Sequence, residues 1–224
     1  MALSIIVPML NEAAALPGLL AQLARWRTRG CEVVVVDGGS TDGSATMARA
    51  AGFTVVDAER GRARQMNAGA ALARGEVLVF LHADTQLPTE ADAAVRGALA
   101  DERRDWGRFD VRITGRAPML RVVAALMNLR SRLTGIATGD QAMFVRREAF
   151  DAVGGFPLQP LMEDIELSRR LLRRSRPACL RARVTTSGRR WEQRGVWRTI
   201  VLMWRLRWAY WRGVPAEVLA EAYR

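Results

Sequence analysis

The sequence predicts an α/β fold with a mostly parallel central sheet and helices on both faces. Residues 33–36 are four consecutive valines, and an unbroken β-branched run is typical of a strand covered on both faces, as in parallel sheets. The first 85 residues alternate short apolar strands with helical segments in the order β-α-β-α-β-α-β. Their connections are short and no repeat interrupts them, so we expect a doubly wound sheet.

The elements of the first half follow from local patterns. Leu3 to Pro8 forms the first strand, and Asn11 is predicted to cap a helix whose leucines recur at helical spacing. The remaining elements of this half are a strand at 33–36, a helix at 44–51, a strand at 53–56, a helix at 62–74 and a strand from Gly75 through LHADT.

The second half is less regular. A helix follows Pro88 and ends near Ala100, and residues 106–114 alternate in a way that predicts an antiparallel strand with one face in water. The further elements are an amphipathic helix at 118–133, a strand at 141–145, a short helix at 146–153, a helix at 162–173, a strand at 178–186 and a long helix at 193–212.

The composition excludes several chemistries. The 224 residues fit one domain with an appended element, and half of them are hydrophobic, so disorder is not expected. All 34 basic residues are arginine, which gives a formal net charge of +11. Walker P-loop and Schiff-base chemistry are excluded because both need a lysine. Arginine suits phosphate ligands, although genome composition alone can raise its content.

Cysteine and histidine are scarce. Cys31 and Cys179 lie far apart, and we interpret them as buried thiols of a reduced cytosolic protein. His82 is the single histidine, so structural zinc and a Ser/His/Asp triad are not favoured, although a triad using His82 stays open. The opening residues do not resemble a signal peptide, and no stretch reaches the roughly 18 apolar residues of a membrane span. We therefore expect a cytoplasmic protein that is soluble or lies on the inner face of a membrane.

A ligand edge is predicted where the second strand ends. Asp37 follows the valines directly and Gly39 lies two residues later. Ligands of open α/β sheets bind outside the carboxyl ends of the strands. The alternative is a simple strand-to-helix turn in which Asp42 or Ser44 caps the next helix.

Two further segments carry candidate chemistry. If the chain is extended at LHADT, His82 and Asp84 face the same way and can hold Mg²⁺ or Mn²⁺ together with phosphate oxygens. The alternative is that His82 is a hydrogen-bonded core residue. Glu163 and Asp164 begin a helix after the loop GGFPLQP, where a carboxylate can act as general base or can simply favour the helix dipole.

Six short segments together are similar to the successive motifs of family 2 glycosyltransferases. They are VPMLNE, VVVVDGGSTDGS, GRARQMNAGA, FLHADT, TGDQAMFVRREAFDAVGGF and MEDIELSRRL. The resemblance covers about residues 3–191. It implies a GT-A fold with a catalytic domain at 1–190, divided into a nucleotide half (1–87) and an acceptor half (88–190), and a C-terminal helical extension at 191–224. It also implies inverting transfer of a sugar from a nucleotide diphosphate sugar to an acceptor hydroxyl.

The same resemblance implies roles for individual residues. Glu12 and Asp37 would hold the ribose and the base, and Arg64 would help to position the nucleotide. Asp84 falls at the closing aspartate of the family's Asp-x-Asp metal motif, and His82 occupies its opening position. The full nucleotide- and substrate-binding set is Pro8, Glu12, Asp37, Gly39, Arg64, Asp84, Glu163, Arg190 and Trp191.

Two aspartates are the catalytic candidates that the resemblance implies. Asp164 aligns with the general base of the family, and Asp140 lies in the acceptor-side segment TGDQ. Arg190 and Trp191 look like the end of the family's Gln-x-x-Arg-Trp motif, but Ser187 stands where the glutamine would be, which argues against processive polymer synthesis.

The acceptor is a small molecule or a lipid-linked compound in this interpretation. LHADT, TGDQ, LMEDIELSRRL and GRRWEQRG resemble a small stand-alone bacterial subfamily that is associated with radical-SAM proteins and arsenosugar biosynthesis. We hold that narrower resemblance as a hypothesis about the acceptor.

The predicted C-terminal helix is rich in tryptophan and arginine. At 100° per residue its tryptophans share an arc of about 60° and its arginines a neighbouring arc of about 40°. The tryptophans are Trp197, Trp204, Trp208 and Trp211, and the arginines are Arg194, Arg198, Arg205 and Arg212. This is the composition of a membrane-interface helix, which is one interpretation. The interpretation that we favour is that the tryptophans pack on the catalytic domain or on a second subunit, since the apolar residues at 202, 203 and 206 favour burial on at least one side.

Two rival functions are weaker. A methyltransferase would carry its glycine-rich loop after the first strand, where this chain has PMLNEAAAL. A non-enzymatic module that binds membranes or nucleic acid through its basic and aromatic residues is the main alternative. Clustered carboxylates would repel a phosphate backbone, so we expect no nucleic-acid partner.

Overall fold

The computed structural model describes residues 1–223. Their strands form one eight-stranded sheet with the order β3-β2-β1-β4-β7-β6-β8-β5. The strands are β1 (Leu3–Met9), β2 (Glu32–Asp37), β3 (Thr54–Asp57), β4 (Val77–Phe80), β5 (Thr85–Gln86), β6 (Trp106–Thr114), β7 (Phe144–Arg146) and β8 (Ala178–Ser187).

Ten helices are described among these residues. They are α1 (Leu16–Thr28), α2 (Ser44–Ala50), α3 (Arg62–Leu72), α4 (Ala91–Ala98), α5 (Met119–Thr134), α6 (Arg147–Ala152), α7 (Glu163–Leu172), α8 (Arg189–Arg194), α9 (Val196–Trp211) and α10 (Ala216–Tyr223). A 3₁₀ turn, Gly139–Gln141, lies between α5 and β7.

The first four main strands are parallel, as predicted. β1 lies between β2 and β4, and β3 pairs with β2. Pro8 pairs with Val36 and Met9 with Asp37, so β1 and β2 end at the same level. Successive valines of β2 enter opposite cores: Val33 and Val35 join one apolar cluster, and Val34 and Val36 join the other. Burial of both faces explains the continuous valine run.

The second half of the sheet is mixed. β7 is antiparallel to both β4 and β6, while β8 is parallel to β6 and antiparallel to β5. The prediction that β6 has one face in water is wrong for most of its length, because residues 106–111 are all buried. Only Arg112 and Thr114 are exposed, beyond the part that β7 and the core cover.

Two local predictions are wrong. Asn11 does not cap α1, which begins at Leu16. It adopts a left-handed backbone conformation (φ +53°), and its side-chain oxygen accepts a hydrogen bond from the amide of Thr41. Of the two cysteines, Cys31 is buried as expected, but Cys179 is only half-buried.

The predicted long C-terminal helix is broken. Gly195 adopts φ +86° and separates α8 from α9, and α10 follows as a third helix that the sequence pattern did not predict. Leu206 on α9 packs with Met162 and Leu219. The four tryptophans point outward instead and are 62% to 78% exposed, so the favoured prediction is wrong as far as packing on the catalytic domain is concerned. Within residues 1–223, no helix combines the length and the apolar character that a bilayer crossing requires.

Candidate active site

Hydrogen bonds join the loops that follow β1 and β2. The amide of Asn11 donates to the Ser40 hydroxyl (2.9 Å) and the amide of Ala13 donates to the Asp42 carboxylate (2.8 Å). The amide of Glu12 donates to the hydroxyl of Ser44 (3.0 Å). The two loops therefore form one unit at the carboxyl ends of their strands.

Asp37 lies at the centre of this unit. Its Oδ2 accepts hydrogen bonds from the amides of Gly39 (3.0 Å) and Ser40 (2.9 Å). Gly39 has φ +90°, a conformation that favours glycine. The other carboxylate oxygen, Oδ1, is buried and has no partner within residues 1–223. Because buried acceptors are nearly always satisfied, this oxygen is suited to a donor on a ligand.

Gln65 stabilises the loops that follow β1 and β2, a role that the sequence reasoning missed. Its side-chain amide donates to the carbonyls of Met9 (2.8 Å) and Val36 (2.9 Å), and so ties the ends of β1 and β2 together. A Cβ at Gly38 would lie 2.9 Å from this amide group, so glycine lets the chain pass over it. Pro8 is buried beside Val36 in the same layer.

The segment around His82 is a turn, so the extended geometry assumed for LHADT is wrong. β4 ends at Phe80, and the amide of Thr85 donates to the carbonyl of His82 (3.0 Å). His82 is buried whereas Asp84 is exposed. Nδ1 of His82 lies 3.4 Å from Oδ1 of Asp140.

The other imidazole nitrogen of His82 faces backbone. Nε2 is buried without a partner in the part of the chain that the structure describes. A Cβ on Gly139 would come within 2.4 Å of it, so Gly139 closes this side of the ring. The assignment of His82 as a metal ligand stays a prediction.

Asp84 stays a candidate metal ligand. Burial raises the pKa of the Glu12 carboxyl, and the charges of Asp84 and Asp42 raise it further, against the opposing charges of Arg189 and Arg190. The Glu12 carboxyl is therefore close enough to Asp84 and to the guanidinium groups of Arg189 and Arg190 for their charges to act on it. In residues 1–223, no group of three or more His, Cys, Asp or Glu side chains could hold a metal ion. Mg²⁺ needs fewer protein side chains than that, since one carboxylate together with substrate phosphates can suffice.

The acid pair lies at the start of α7. Glu163 is buried, and burial together with the charge of Asp164 raises its pKa to about 7, although Arg62 and His82 oppose the shift. Nη1 of Arg62 lies 3.8 Å from the Glu163 carboxylate. A carboxyl group that titrates near neutral pH is typical of functional sites.

Asp164 is held by backbone amides. Its Oδ2 accepts a hydrogen bond from the amide of Gly139 (2.8 Å), and its Oδ1 accepts one from the amide of Ile165 (2.7 Å). It therefore joins α7 to the 3₁₀ turn. Both carboxylates of the pair line one cavity, whose other lining residues are Met66, Phe80, His82, Gly139, Met143 and Phe156.

Asp140 is stabilised as a carboxylate. Burial alone would raise its pKa, but the hydrogen bond from His82 and the charges of His82, Arg62 and Arg190 outweigh burial, so the pKa lies below its ordinary value. The 3₁₀ turn is fixed by a capping box between Thr138 and Gln141. Asp140, Glu163 and Asp164 thus gather around His82 and Arg62, and we call these five residues the acid cluster.

The two arginines at the start of α3 have different surroundings. Arg64, which the sequence resemblance selects, is paired with Glu59 and exposed. Arg62, which it does not select, carries a charge that acts on all three carboxylates of the acid cluster. Both lie in the first turn of α3, so nothing in their spacing could have distinguished them.

The C-terminal helices reach the same region. Nη1 of Arg190 donates to the hydroxyl of Tyr223 (2.6 Å), and Nη1 of Arg194 donates to its carbonyl (2.8 Å). Tyr223 was missed because α10 was not predicted. Trp191 is half-buried and packs against the core on the α1 side of the sheet.

Comparisons with known proteins agree with this architecture. The family model described as Glycosyl transferase family 2 matches residues 4–154. A PGL/p-HBAD biosynthesis glycosyltransferase of Mycobacterium bovis is 42% identical over 102 residues, which cover 42% of this chain and 40% of the relative. An undecaprenyl-phosphate 4-deoxy-4-formamido-L-arabinose transferase of Pseudomonas paraeruginosa is 30% identical over 166 residues, which cover 64% of this chain and 45% of the relative.

Solved structures show the same fold. The mannosyltransferase PcManGT from Pyrobaculum calidifontis, in complex with GDP-Man and Mn²⁺, aligns with a TM-score of 0.65 and 26% identity over 92% of this chain and 60% of its own. TarS 1-349 of S. aureus, in complex with UDP, aligns with a TM-score of 0.66 and 22% identity over 84% of this chain and 60% of its own. The chain spans less than half the length of the two curated relatives.

Proposed function

The chain belongs to glycosyl transferase family 2, and from that premise we propose that it transfers a sugar from a nucleotide diphosphate sugar to an acceptor hydroxyl with inversion at the anomeric carbon. One observation carries the proposal. An oxygen of Asp37 that is buried and has no partner among the described residues lies at the carboxyl ends of β1 and β2, where such enzymes would hold a nucleotide. A separate cavity is lined by the carboxylate pair Glu163 and Asp164. We propose residues 1–87 as the nucleotide half, 88–190 as the acceptor half and 191–224 as an extension.

The donor would lie across the loops after β1 and β2. Asp37 Oδ1 is suited to accept a hydrogen bond from the base, and Glu12 from a ribose hydroxyl. Pro8 and Gly39 shape the floor and the turn, and Arg64 is free to leave Glu59 because its exposed ion pair is weak. The names of the structural neighbours mention UDP and GDP-Man, so we propose a uridine or guanosine diphosphate sugar.

Asp84 would hold Mg²⁺ or Mn²⁺ together with oxygens of the diphosphate. When bound, such an ion neutralises charge that develops on the leaving diphosphate. Arg190, whose charge acts on both Glu12 and Asp140, would add to that neutralisation. His82 has a different role in this proposal. It positions Asp140 through its Nδ1 and packs against Gly139, which in turn donates to Asp164.

Asp164 would act as the general base. The acceptor oxygen attacks the anomeric carbon as its proton passes to the Asp164 carboxylate, and the bond from that carbon to the diphosphate oxygen breaks. The nucleoside diphosphate leaves with the bonding electrons. The two amides that bind Asp164 orient the carboxylate for this step. Asp140 and Trp191 would contact the acceptor.

The acceptor is proposed as a small molecule or a lipid-linked compound. The name of one relative specifies undecaprenyl phosphate, which supports the lipid-linked class. The resemblance to the arsenosugar-associated subfamily stays a hypothesis about the acceptor.

Calorimetry with UDP and GDP, each with and without Mn²⁺, tests the donor site. We expect binding of one nucleotide that strengthens with the ion, by roughly tenfold or more if the ion bridges Asp84 and the diphosphate. Asp84→Ala should lose that dependence, and His82→Ala should retain it.

Two results would contradict the proposal. If Asp84→Ala binds the nucleotide with unchanged Mn²⁺-dependent affinity, Asp84 is not a metal ligand. Binding of DNA or liposomes with no nucleotide binding at all would favour the non-enzymatic module.

A further inference from the structure

Helix α9 exposes a row of aromatic side chains. Trp197, Trp204, Trp208 and Trp211 are 67%, 71%, 62% and 78% exposed, and Val201 beside them is 55% exposed. At 100° per residue the four indoles share an arc of about 60°. We call these five residues the tryptophan face. Contiguous exposed apolar surface of this kind marks a binding surface.

The rest of the fold holds this face outward. On the opposite side of α9, Leu206 is buried against Met162 and Leu219. The hydroxyl of Tyr210 accepts a hydrogen bond from the Gln159 side chain (3.3 Å). These contacts fix the rotation of α9 about its axis, so the tryptophans cannot turn inward without exposing the buried side.

A row of positive charge lies next to the tryptophan face. Arg198, Arg205 and Arg212 are exposed and share a neighbouring arc of about 40°. Arg194, which the predicted helix placed in that row, lies on α8 instead and bonds Tyr223. α9 contains no acidic residue, and the segment 189–223 has seven arginines and three glutamates.

We propose that the tryptophan face docks on an anionic phospholipid surface, with α9 lying in the plane of the interface. Indoles prefer the headgroup level of a bilayer, and guanidinium groups bind lipid phosphate bidentately. The row from Trp197 to Trp211 is about 21 Å long at the helical rise, enough to cover several headgroups. A helix with one aromatic face, an adjacent basic row and a buried side has the composition of an element that lies on a membrane.

Charge argues against the other occupants of this surface. A second copy docked on the same face would bring two arginine rows together, and each chain carries a formal charge of +11. Single-stranded nucleic acid is held in grooves whose aromatic residues stack on bases, whereas the tryptophan face is the convex surface of a helix.

The position of α9 gives this surface a consequence for the site, a step that rests on the proposed function. Met162, which packs on Leu206, directly precedes Glu163 and Asp164. Docking of α9 would therefore hold the start of α7 about one helix diameter, roughly 10 Å, from the lipid surface. We infer that the acceptor is anchored in the membrane and presents its reactive group just beyond the headgroups.

Co-sedimentation of the full chain with vesicles tests the docking. We expect binding to phosphatidylcholine vesicles that contain phosphatidylglycerol, weak binding to phosphatidylcholine alone, and a blue shift of tryptophan fluorescence. Trp204→Ser with Trp208→Ser should weaken binding at least tenfold without lowering the thermal midpoint. The control pair Met47→Ser with Leu72→Ser, two exposed apolar residues of α2 and α3, should leave binding unchanged.

A second pair of variants tests the charge. Each basic residue near an anionic surface contributes roughly fivefold to binding, so Arg198→Gln with Arg205→Gln should weaken it by roughly 30-fold at low salt. Arg25→Gln with Arg103→Gln has the same net charge and exposed side chains elsewhere, and should bind like the parent.

Several outcomes would overturn the docking. They are no binding to either vesicle, a dimer in sedimentation that Trp204→Ser with Trp208→Ser converts to monomer, and nucleic-acid binding that this variant abolishes. UDP and GDP binding is measured on the same preparations. Vesicle binding without nucleotide binding would contradict the proposed function alone, and nucleotide binding without vesicle binding would contradict the docking alone.

Discussion

The nucleotide-side edge around Asp37 and the acid cluster are built in opposite ways. The edge is made by two consecutive loops, and neighbouring amides bind its central carboxylate. The acid cluster instead brings together α3, the turn after β4, the 3₁₀ turn and the start of α7. A site made by adjacent residues is visible as a motif, whereas one made by distant segments depends on the whole fold.

The two regions also differ in their electrostatics. Asp37 accepts hydrogen bonds from two backbone amides. The next carboxylate in the same turn is that of Asp42, which accepts a hydrogen bond from the amide of Ala13. The acid cluster crowds three carboxylates around one guanidinium group and one imidazole. Ionisation of one carboxylate therefore changes the pKa of the next. We expect substitutions in the acid cluster to change rates and pH dependence, and those at the edge to change donor binding and stability.

Asp164→Asn should have the largest effect. Removing a general base costs about 10²- to 10⁴-fold in kcat, while the donor site is untouched, so affinity for the nucleotide should stay within a factor of about two. The measurement is kcat for transfer alongside calorimetry of nucleotide binding. Loss of nucleotide affinity as large as the loss of kcat would break the comparison, because the two regions would then act as one.

Asp140→Asn is the matched control for that variant. Asp140 belongs to the same cluster and bonds His82 rather than the amides of Gly139 and Ile165. We expect a smaller loss of kcat. If Asp140→Asn is nearly inactive and Asp164→Asn retains activity, Asp140 is the base.

Glu163→Gln should change the pH dependence of stability. The pKa of Glu163 is about 7 in the folded chain, above its ordinary value of 4.5, because of burial and Asp164. The folded state then holds a proton that the unfolded state has lost between these two values, so this group makes stability fall as pH rises from about 4.5 to 7. Above pH 7 the glutamine variant should be more stable, by an amount on the order of 3 kcal/mol.

Chemical denaturation of both proteins from pH 4 to pH 8 measures this difference. The gap in the free energy of unfolding between the two proteins should close below about pH 4.5, where the wild-type carboxyl is protonated in both the folded and the unfolded state. Asp164→Asn sharpens the test. Removal of the neighbouring charge should lower the Glu163 pKa and narrow the gap. A gap that is constant with pH would mean that Glu163 ionises normally.

The sequence predicts the parallel half of the fold because its strands are marked locally. The valines of β2 and the glycine-rich turn after them define Asp37 without knowledge of any distant residue. The same reasoning fails at His82, because alternation of side chains holds only in extended chain and β4 ends two residues earlier. It fails at Asn11 for a similar reason, since a long-range bond to Thr41 competes with helix capping.

The parts that escape prediction depend on tertiary contacts. Arg62 and Arg64 are identical in type and almost adjacent, and only the position of Glu163 distinguishes them. The break at Gly195 could be anticipated from glycine in a helical pattern, but α10 and Tyr223 carry no motif. The grouping of the tryptophans on one arc was predicted because helical periodicity does not depend on what surrounds the helix. Their exposure was not, because it depends on how the helix packs.

Tyr223→Phe should have the smallest effect, and Gln65→Ala gives the contrast from the other region. Phenylalanine keeps the ring on which Arg190 and Arg194 lie but removes the hydroxyl that Arg190 bonds. Arg190 is exposed and water can replace that bond, so the loss of stability should be below about 1 kcal/mol.

Gln65→Ala removes two buried hydrogen bonds and leaves the carbonyls of Met9 and Val36 unsatisfied, which should cost about 2 kcal/mol or more. Thermal and chemical denaturation of both variants measures the difference, and nucleotide binding should weaken only in Gln65→Ala. The contrast follows from the different access of water to the two sites. A donor lost from a buried strand end has no substitute, whereas a hydroxyl lost at the end of α10 is replaced by solvent. Equal destabilisation by the two substitutions would show that the C-terminal helices are as firmly built into the fold as the edge around Asp37.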